Sequence, residues 1–239
     1  MTPRPVRRNL GPDIDRRRFL SGSVGLGAAA ALGGGAALLS ACSLDRASSP
    51  GRSDPTSGFG GTLLEPPFTK PDVTFTDLDG NPFPFLEKTE GQLTVLFFGY
   101  TNCPDICPVF LQTMARAREG IATGPGSRPQ ILFVGVDVAR DTPEQMRTYL
   151  NRIDPTFIGL TGSEEVIGEA ISHLKMAPVV IEEPAADGTY SVGHPAQATV
   201  FTRDDVSHRI YPTGVDDWAG TRMEVWVRDL PRLDQGVWK

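Results

Sequence analysis

Two cysteines, Cys103 and Cys107, stand four positions apart, directly after an apolar run that ends at Gly99. The stretch reads Phe97-Phe98-Gly99-Tyr100-Thr101-Asn102-Cys103-Pro104-Asp105-Ile106-Cys107-Pro108. Positions i and i+4 share one face of a helical turn, so both sulfurs can converge on one point. Such a pair serves disulfide exchange, a structural disulfide or a soft metal. A structural bridge across so short a loop removes little unfolded-state entropy. Zinc asks for four Cys/His-type ligands, and the sequence offers no second CxxC-like pair. Copper asks for less, because thiolates with one imidazole suit Cu(I) or Cu(II) by softness.

That imidazole has to come from one of three histidines. His173 falls inside a helical pattern and reads as a surface or satisfied core residue. His208 opens a strand pattern after the Asp204-Asp205 turn and is the weaker ligand candidate. His194 lies in the loop sequence Ser191-Val192-Gly193-His194-Pro195-Ala196-Gln197. The five methionines are scattered and read as core filling.

The elements around the cysteines follow from spacing and breakers. Pro108 suits the first position of a helix and not its interior. This predicts a separate turn from Cys103 to Cys107. It also puts Cys107 at a helix N-terminus, where the positive dipole end favours thiolate. Phe110, Met114, Ala117 and Ile121 continue that helix at 3.6-residue spacing. Leu93 to Phe98 and Gln130 to Val138 read as buried strands. Thr142-Pro143-Glu144-Gln145 carries the cap, first-position proline and capping box of a helix start. A short strand at Phe157 to Leu160 and a helix opening at Ser163-Glu164-Glu165 follow. Upstream, Val73 to Thr76 and the turn-rich Asp77 to Pro82 predict a hairpin.

Beyond Pro178 the pattern returns to strands: Val179 to Ile181, Tyr190 to Val192, Ala198 to Phe201 and His208 to Tyr211. A closing helix puts Ala219, Met223, Trp226 and Leu230 on one face. The sum is an α/β chain, best matched by a thioredoxin-like three-layer α/β/α sandwich with an N-terminal β-hairpin. In that fold the loop before the last strand pair packs beside the cysteine turn, which favours His194.

The N-terminus belongs to targeting and not to the fold. Arg16-Arg17-Arg18-Phe19-Leu20 fits a twin-arginine export signal. Ser21 to Ala41 is Gly/Ala-rich and uncharged, and Leu39-Ser40-Ala41-Cys42 resembles a bacterial lipobox. An uncleaved anchor is disfavoured because so many glycines make a poor spanning helix. The expected organisation is a signal peptide over 1–41, a lipidated flexible tether over 42–61 starting at Cys42, and one domain over 62–239. The product would be exported and lipid-anchored to the outer face of the bacterial cytoplasmic membrane. Without residues 1–41 the chain keeps 17 basic and 27 acidic side chains, a formal charge of −10. Nucleic-acid binding is thereby excluded, since no contiguous basic surface remains to neutralise phosphates. Cys103 and Cys107 are then an even pair in a compartment where disulfides persist.

Gly99 to Pro108 resembles the signature of the Sco/SenC family, thioredoxin-fold, membrane-anchored copper proteins involved in assembling cytochrome c oxidase. The likeness continues at Val136-Asp137-Val138-Ala139-Arg140-Asp141-Thr142-Pro143, similar to the family's Asp-x-x-Arg-Asp-Thr-Pro stretch, and at Val192-Gly193-His194. The resemblance covers roughly Phe68 to the C-terminus. It implies that Cys103, Cys107 and His194 bind copper, as Cu(I) or Cu(II), with Asp137 a carboxylate close behind them. The implied task is a non-enzymatic one: carrying copper to the binuclear centre of the copper-receiving subunit of cytochrome c oxidase, with other copper carriers as further partners. Gly193 replaces a residue that is often acidic in the family, Pro195 one that is usually small and polar, and Asp204-Asp205-Val206 a Gly-containing turn. The competing function is a thiol–disulfide oxidoreductase that keeps the acceptor's cysteines reduced. It needs Cys103 and Cys107 but not His194, and thioredoxin-type catalysts use CxxC and not CxxxC. A peroxidase of the same fold lacks its Pro/Thr/Cys pattern and activating arginine around Cys103.

Overall fold

The computed structural model describes residues 58–121, 128–213 and 222–239. The expected signal peptide, Cys42, the first part of the tether and Ala219 lie outside the described residues. In chain order the strands are β1 (Thr62–Thr69), β2 (Thr74–Asp77), β3 (Pro82–Pro84), β4 (Thr94–Gly99), β5 (Gln130–Gly135), β6 (Ile158–Thr161), β7 (Val180–Ile181), β8 (Val192–Gly193), β9 (Gln197–Phe201) and β10 (Val206–Pro212). The helices are α1 (Phe85–Thr89), α2 (Ile106–Gly120), α3 (Pro143–Asn151), α4 (Glu164–His173) and α5 (Met223–Asp234).

Every residue of β4 is buried, which is why its sequence from Val95 to Phe98 is a continuous apolar run and does not alternate. Val95 and Phe97 face one helical layer, built from α2, α3 and α5, where Phe110, Met146 and Trp226 meet them. Leu96 and Phe98 face the other, where Phe85 of α1 and Ile167 and Ile171 of α4 close the core. Between the layers runs an eight-stranded sheet in the order β1-β10-β9-β4-β5-β6-β2-β3. β4, β5 and β6 are parallel, while β9 runs antiparallel to β4. This is the thioredoxin-like three-layer α/β/α arrangement that the sequence leads one to expect. Among the described residues no helix is long and apolar enough to cross a membrane.

Four details differ from the sequence expectations. The fold starts earlier than residue 62, because Phe59 is only 3% exposed. It is held between the guanidinium groups of Arg209 and Arg232, 4.2 and 3.7 Å from its ring. β1 follows it and pairs with β10, so the expected hairpin β2–β3 is not the first element and lies on the far edge of the sheet, joined through β6. α2 begins at Ile106, two residues before Pro108. Pro108 is tolerated at the third position because the first-turn N–H groups have no intrahelical partner to lose. On α5, Met223 is 47% exposed and the buried face is Val225, Trp226, Asp229, Leu230 and Leu233.

Candidate metal centre

β4 and β5 run parallel, so the loops leaving their C-terminal ends lie side by side. The first loop carries the cysteines. It turns at once, with the Cys103 N–H donating to the Tyr100 carbonyl at 3.1 Å, and then enters α2. Gly99 has to be glycine here, since a Cβ would lie 2.7 Å from the Cys107 Sγ and 2.8 Å from the Phe133 ring. The second loop holds Asp137, Arg140 and Asp141. The sheet ends at Gly135, three residues before the strand end expected from sequence, and the Val136 N–H caps the Gly99 carbonyl at 2.8 Å.

Asp141 fastens the cysteine turn to this second loop. Its buried carboxylate accepts from the Thr101 N–H at 2.8 Å, the Thr101 hydroxyl at 2.7 Å and the Asp137 N–H at 3.2 Å. Burial raises its pKa, and the bonds from Thr101 oppose that shift. Next in line, Thr142 caps α3 by accepting from the Gln145 N–H at 3.3 Å. The Thr142 N–H is already spent on the Arg140 carbonyl, so the reciprocal half of a capping box has no role.

His194 arrives from the other side, on the hairpin β7–β8. Its Nδ1 lies 3.1 Å from the Pro195 carbonyl oxygen. A carbonyl only accepts, so Nδ1 carries a proton there, and Nε2 is the nitrogen turned toward the sulfurs. That Nε2 lies 3.6 Å from the Cys107 Sγ. The imidazole also meets Phe97 and Tyr100 edge-on, at ring separations of 6.0 and 5.6 Å. Both cysteines are free thiols. The ligand atoms of Cys103, Cys107 and His194 all lie within 4.8 Å of one another. Metal bonds of about 2.0–2.3 Å to nitrogen and sulfur place three ligand atoms about 3.5–4 Å apart around one ion. The three atoms are therefore close to closing on a single soft metal with little movement.

The sulfurs differ in charge. Cys103 is half-buried and its pKa is lowered to about 3, first by the hydrogen bond from Cys107 and then, against desolvation, by one from His194. Cys107 is fully buried, and desolvation followed by its neighbour Cys103 raises it well above the ordinary thiol value. The expectation that Cys107 would be the thiolate is thus reversed. It does sit in the first turn of α2, but burial outweighs the dipole.

The other expected residues separate clearly. Asp137 is not among the converging ligand atoms. Its carboxylate is fully buried, pairs with the Arg140 Nε and accepts from the Tyr190 hydroxyl at 2.9 Å. His173 bonds to Thr69 through Nε2. His208 pairs with Asp204 at 2.7 Å and stacks on Trp238 at 3.7 Å. Neither reaches the site. Sequence reasoning missed Tyr100, Tyr149 and Tyr190. The Tyr149 hydroxyl is buried without a hydrogen-bond partner among the described residues, and burial raises its pKa with the cysteine pair adding to the effect. No spacing signal marks these three, because a lone tyrosine in a strand end, helix or loop has no pattern of its own.

Comparisons agree with this geometry. A family model described as SCO1/SenC matches residues 63–220. The solution structure of apo Sco1 from Thermus thermophilus superposes with a TM-score of 0.64 at 30% identity, covering 75% of this chain and 99% of that one. The copper-bound structure of ScoI from Bradyrhizobium japonicum gives 0.55 at 28% identity, over 70% and 99% of the two chains. Mitochondrial protein SCO2 of Saccharomyces cerevisiae is 30% identical over 141 residues, 59% of this chain and 45% of its own length. The chain spans about half the length of the curated relatives it matches.

Proposed function

The chain belongs to the SCO1/SenC family, and from that premise we propose that it is a copper metallochaperone binding copper through Cys103, Cys107 and His194. The observation that carries this is the convergence of two sulfurs and one imidazole nitrogen within 4.8 Å of one another. The donor set suits copper by softness. Copper here is cargo. Taking up Cu(I) needs only the proton of Cys107 to leave, since Cys103 is already held as thiolate. Two thiolates around one Cu(I) leave one negative charge, tolerable at a half-exposed site. A thiolate or imidazole of an acceptor can then displace one ligand at a time, and His194, on a short hairpin, is the most easily displaced.

The proposed destination is the binuclear copper centre of the copper-receiving subunit of cytochrome c oxidase. The proposed setting is the outer face of the cytoplasmic membrane, after removal of residues 1–41 and lipidation of Cys42, with 59–239 as the copper-binding domain. The test is copper binding by wild type and by Cys103→Ala, Cys107→Ala and His194→Ala. A thiolate-to-copper charge-transfer band in wild type, lost with either cysteine and shifted without the imidazole, is the expected result. Equal copper affinity with and without His194 would remove the imidazole from the site.

One observation favours a second reading, the thiol–disulfide oxidoreductase. A half-exposed thiolate at Cys103 above a buried thiol at Cys107 is the arrangement of an attacking and a resolving cysteine. Cys103 would attack the acceptor's disulfide and Cys107 would release the mixed disulfide, passing two electrons to the acceptor and leaving a Cys103–Cys107 bridge. Disulfide-reductase activity that survives His194→Ala, with only weak copper binding in wild type, would select this reading over the first.

A further inference from the structure

We infer that Arg140 is the positioning residue for His194: its guanidinium clamps the β7–β8 hairpin, and so holds the imidazole over the cysteine turn. The inference rests on the copper reading of the site and concerns what keeps the third ligand in place.

The hairpin does little to hold itself. β7 and β8 are two residues each, paired at Val180 with Gly193 and Ile181 with Val192. Beyond them the ladder is continued only by the Glu182 N–H to the Ser191 carbonyl at 3.1 Å and, at the tip, by the Ala185 N–H to the Thr189 carbonyl at 2.8 Å and the Gly188 N–H to the Ala185 carbonyl at 2.9 Å. Val180 and Ile181 are 56% and 51% exposed, so the outer strand buries little apolar surface, and Val192 of β8 is the one buried apolar anchor among the hairpin's described residues. An isolated two-stranded ribbon of this size is marginal in water. Gly193 adds freedom, because a Cβ there would meet Val180 only at 3.6 Å and no positive φ demands glycine.

Arg140, by contrast, stands on a well-fastened loop between β5 and α3, and it grips the hairpin through Tyr190. Its guanidinium carbon lies 3.5 Å from the centre of the Tyr190 ring. Its Nη1 donates to the Tyr190 carbonyl oxygen at 3.3 Å. Its Nε pairs with Asp137, whose other carboxylate oxygen accepts the Tyr190 hydroxyl at 2.9 Å. Tyr190 is therefore fixed by ring face, backbone and hydroxyl, four residues before His194. The same guanidinium lies 5.9 Å from the Tyr100 ring, which meets the His194 ring edge-on at 5.6 Å. Arg140, Tyr100 and His194 thus follow one another in a continuous row of contacts, with Tyr100 edge-on to the imidazole. Among the described residues the Arg140 Nη2 is buried with no hydrogen-bond partner. A buried donor left so is costly for stability alone, and holding the hairpin is what the cost would serve. Asp137 has its place in the same account, orienting Arg140 and Tyr190 instead of reaching the metal.

The experiment compares Arg140→Gln, Arg140→Lys and Tyr190→Leu with wild type, each with and without His194→Ala. Cu(I) affinity is measured by competition with a chelator, and amide hydrogen exchange is followed in the copper-free protein. A clamp predicts that Arg140→Gln and Tyr190→Leu each weaken Cu(I) binding by about tenfold, the scale of lost support behind a metal ligand. The same changes should alter affinity by less than about twofold once His194 is gone, because there is then no imidazole to place. Exchange should accelerate across 180–193 while the amides of β4 and β5 keep their protection. Lysine should restore only part of the affinity, as it keeps the charge beside Asp137 but not the planar stack. Equal losses of affinity with and without His194, or unchanged exchange in the hairpin, would overturn the clamp. Failure of wild type to bind copper would sink the copper reading, and the exchange measurement would still decide whether Arg140 holds the hairpin.

Discussion

A thiol pair this close holds one proton too many for both sulfurs to ionise freely, and the fold decides which sulfur keeps it. Cys107 faces the core and stays protonated, while Cys103, half-buried and bonded by Cys107 and His194, is a thiolate. Alkylation by iodoacetamide should therefore be selective for Cys103 at pH 6, where an ordinary thiol near pKa 8.5 is almost entirely protonated. The Cys103 rate should be nearly flat from pH 5 to pH 8. In Cys107→Ala the largest cause of the lowered value is gone, so the rate should regain its dependence on pH through the ordinary thiol range. A wild-type rate that rises steeply between pH 7 and 9 would refute the assignment. The signs for stability follow. Cys103, lowered, contributes stability that is fully present above the ordinary thiol pKa of about 8.5 and drains away as pH falls toward about 3. Cys107, raised, imposes a penalty that grows as pH climbs past that value.

At the scale of elements, the segment Asp137 to Pro143 fastens three things at once: the histidine hairpin through Asp137 and Arg140, the cysteine turn through Asp141, and α3 through Thr142. Two substitutions separate these tasks. Thr142→Ala removes a cap and should cost about 1 kcal/mol in chemical denaturation, with Cys103 alkylation unchanged. Asp141→Ala leaves the Thr101 amide and hydroxyl without their acceptor and should cost about 1–3 kcal/mol. It should also change the alkylation rate, because the turn that presents Cys103 is released. Identical alkylation in both variants would mean that Asp141 serves only the fold. The sequence showed β4, α2 and the α3 cap because their causes are local: an apolar run, a helical period, Thr142 followed by Pro143. It showed the ligand set through spacing and family likeness. It hid β1, since Glu65-Pro66-Pro67 reads as a breaker and the strand is defined by pairing with β10, far away in sequence. It misplaced the strand at Tyr190 because that side chain is drawn to Asp137 and Arg140 instead of continuing a ladder. Ranking burial against dipole at Cys107 likewise required the packed core.

At the scale of the whole domain, strand directions place the beginning of the fold at the same end of the sheet as the metal centre. β10 runs parallel to β4 through the antiparallel β9, and β1 runs against β10, so Thr62 starts near the end where β4 delivers the cysteines. Under the proposed lipid anchor at Cys42, the tether would join the domain at the end of the sheet that presents the cysteines. That geometry depends on how firmly the first residues are docked. Phe59 lies between Arg209 and Arg232, the Gly60 N–H donates to the buried Asp229 at 2.8 Å, and the Arg209 Nη1 donates to the Gly61 carbonyl at 2.5 Å. Asp229 also accepts from the Tyr211 hydroxyl at 3.1 Å, which ties this corner to the core beneath α5. Phe59→Ala should therefore lower stability by about 3 kcal/mol, the low end for a buried phenylalanine because the site is close to the surface. Copper affinity should be unchanged, since no metal ligand touches this corner. Exchange protection should fall in β1 before it falls in β4. A loss below about 1 kcal/mol would show that the tether extends past Phe59, and the edge from which the domain hangs would then be set by β1 alone.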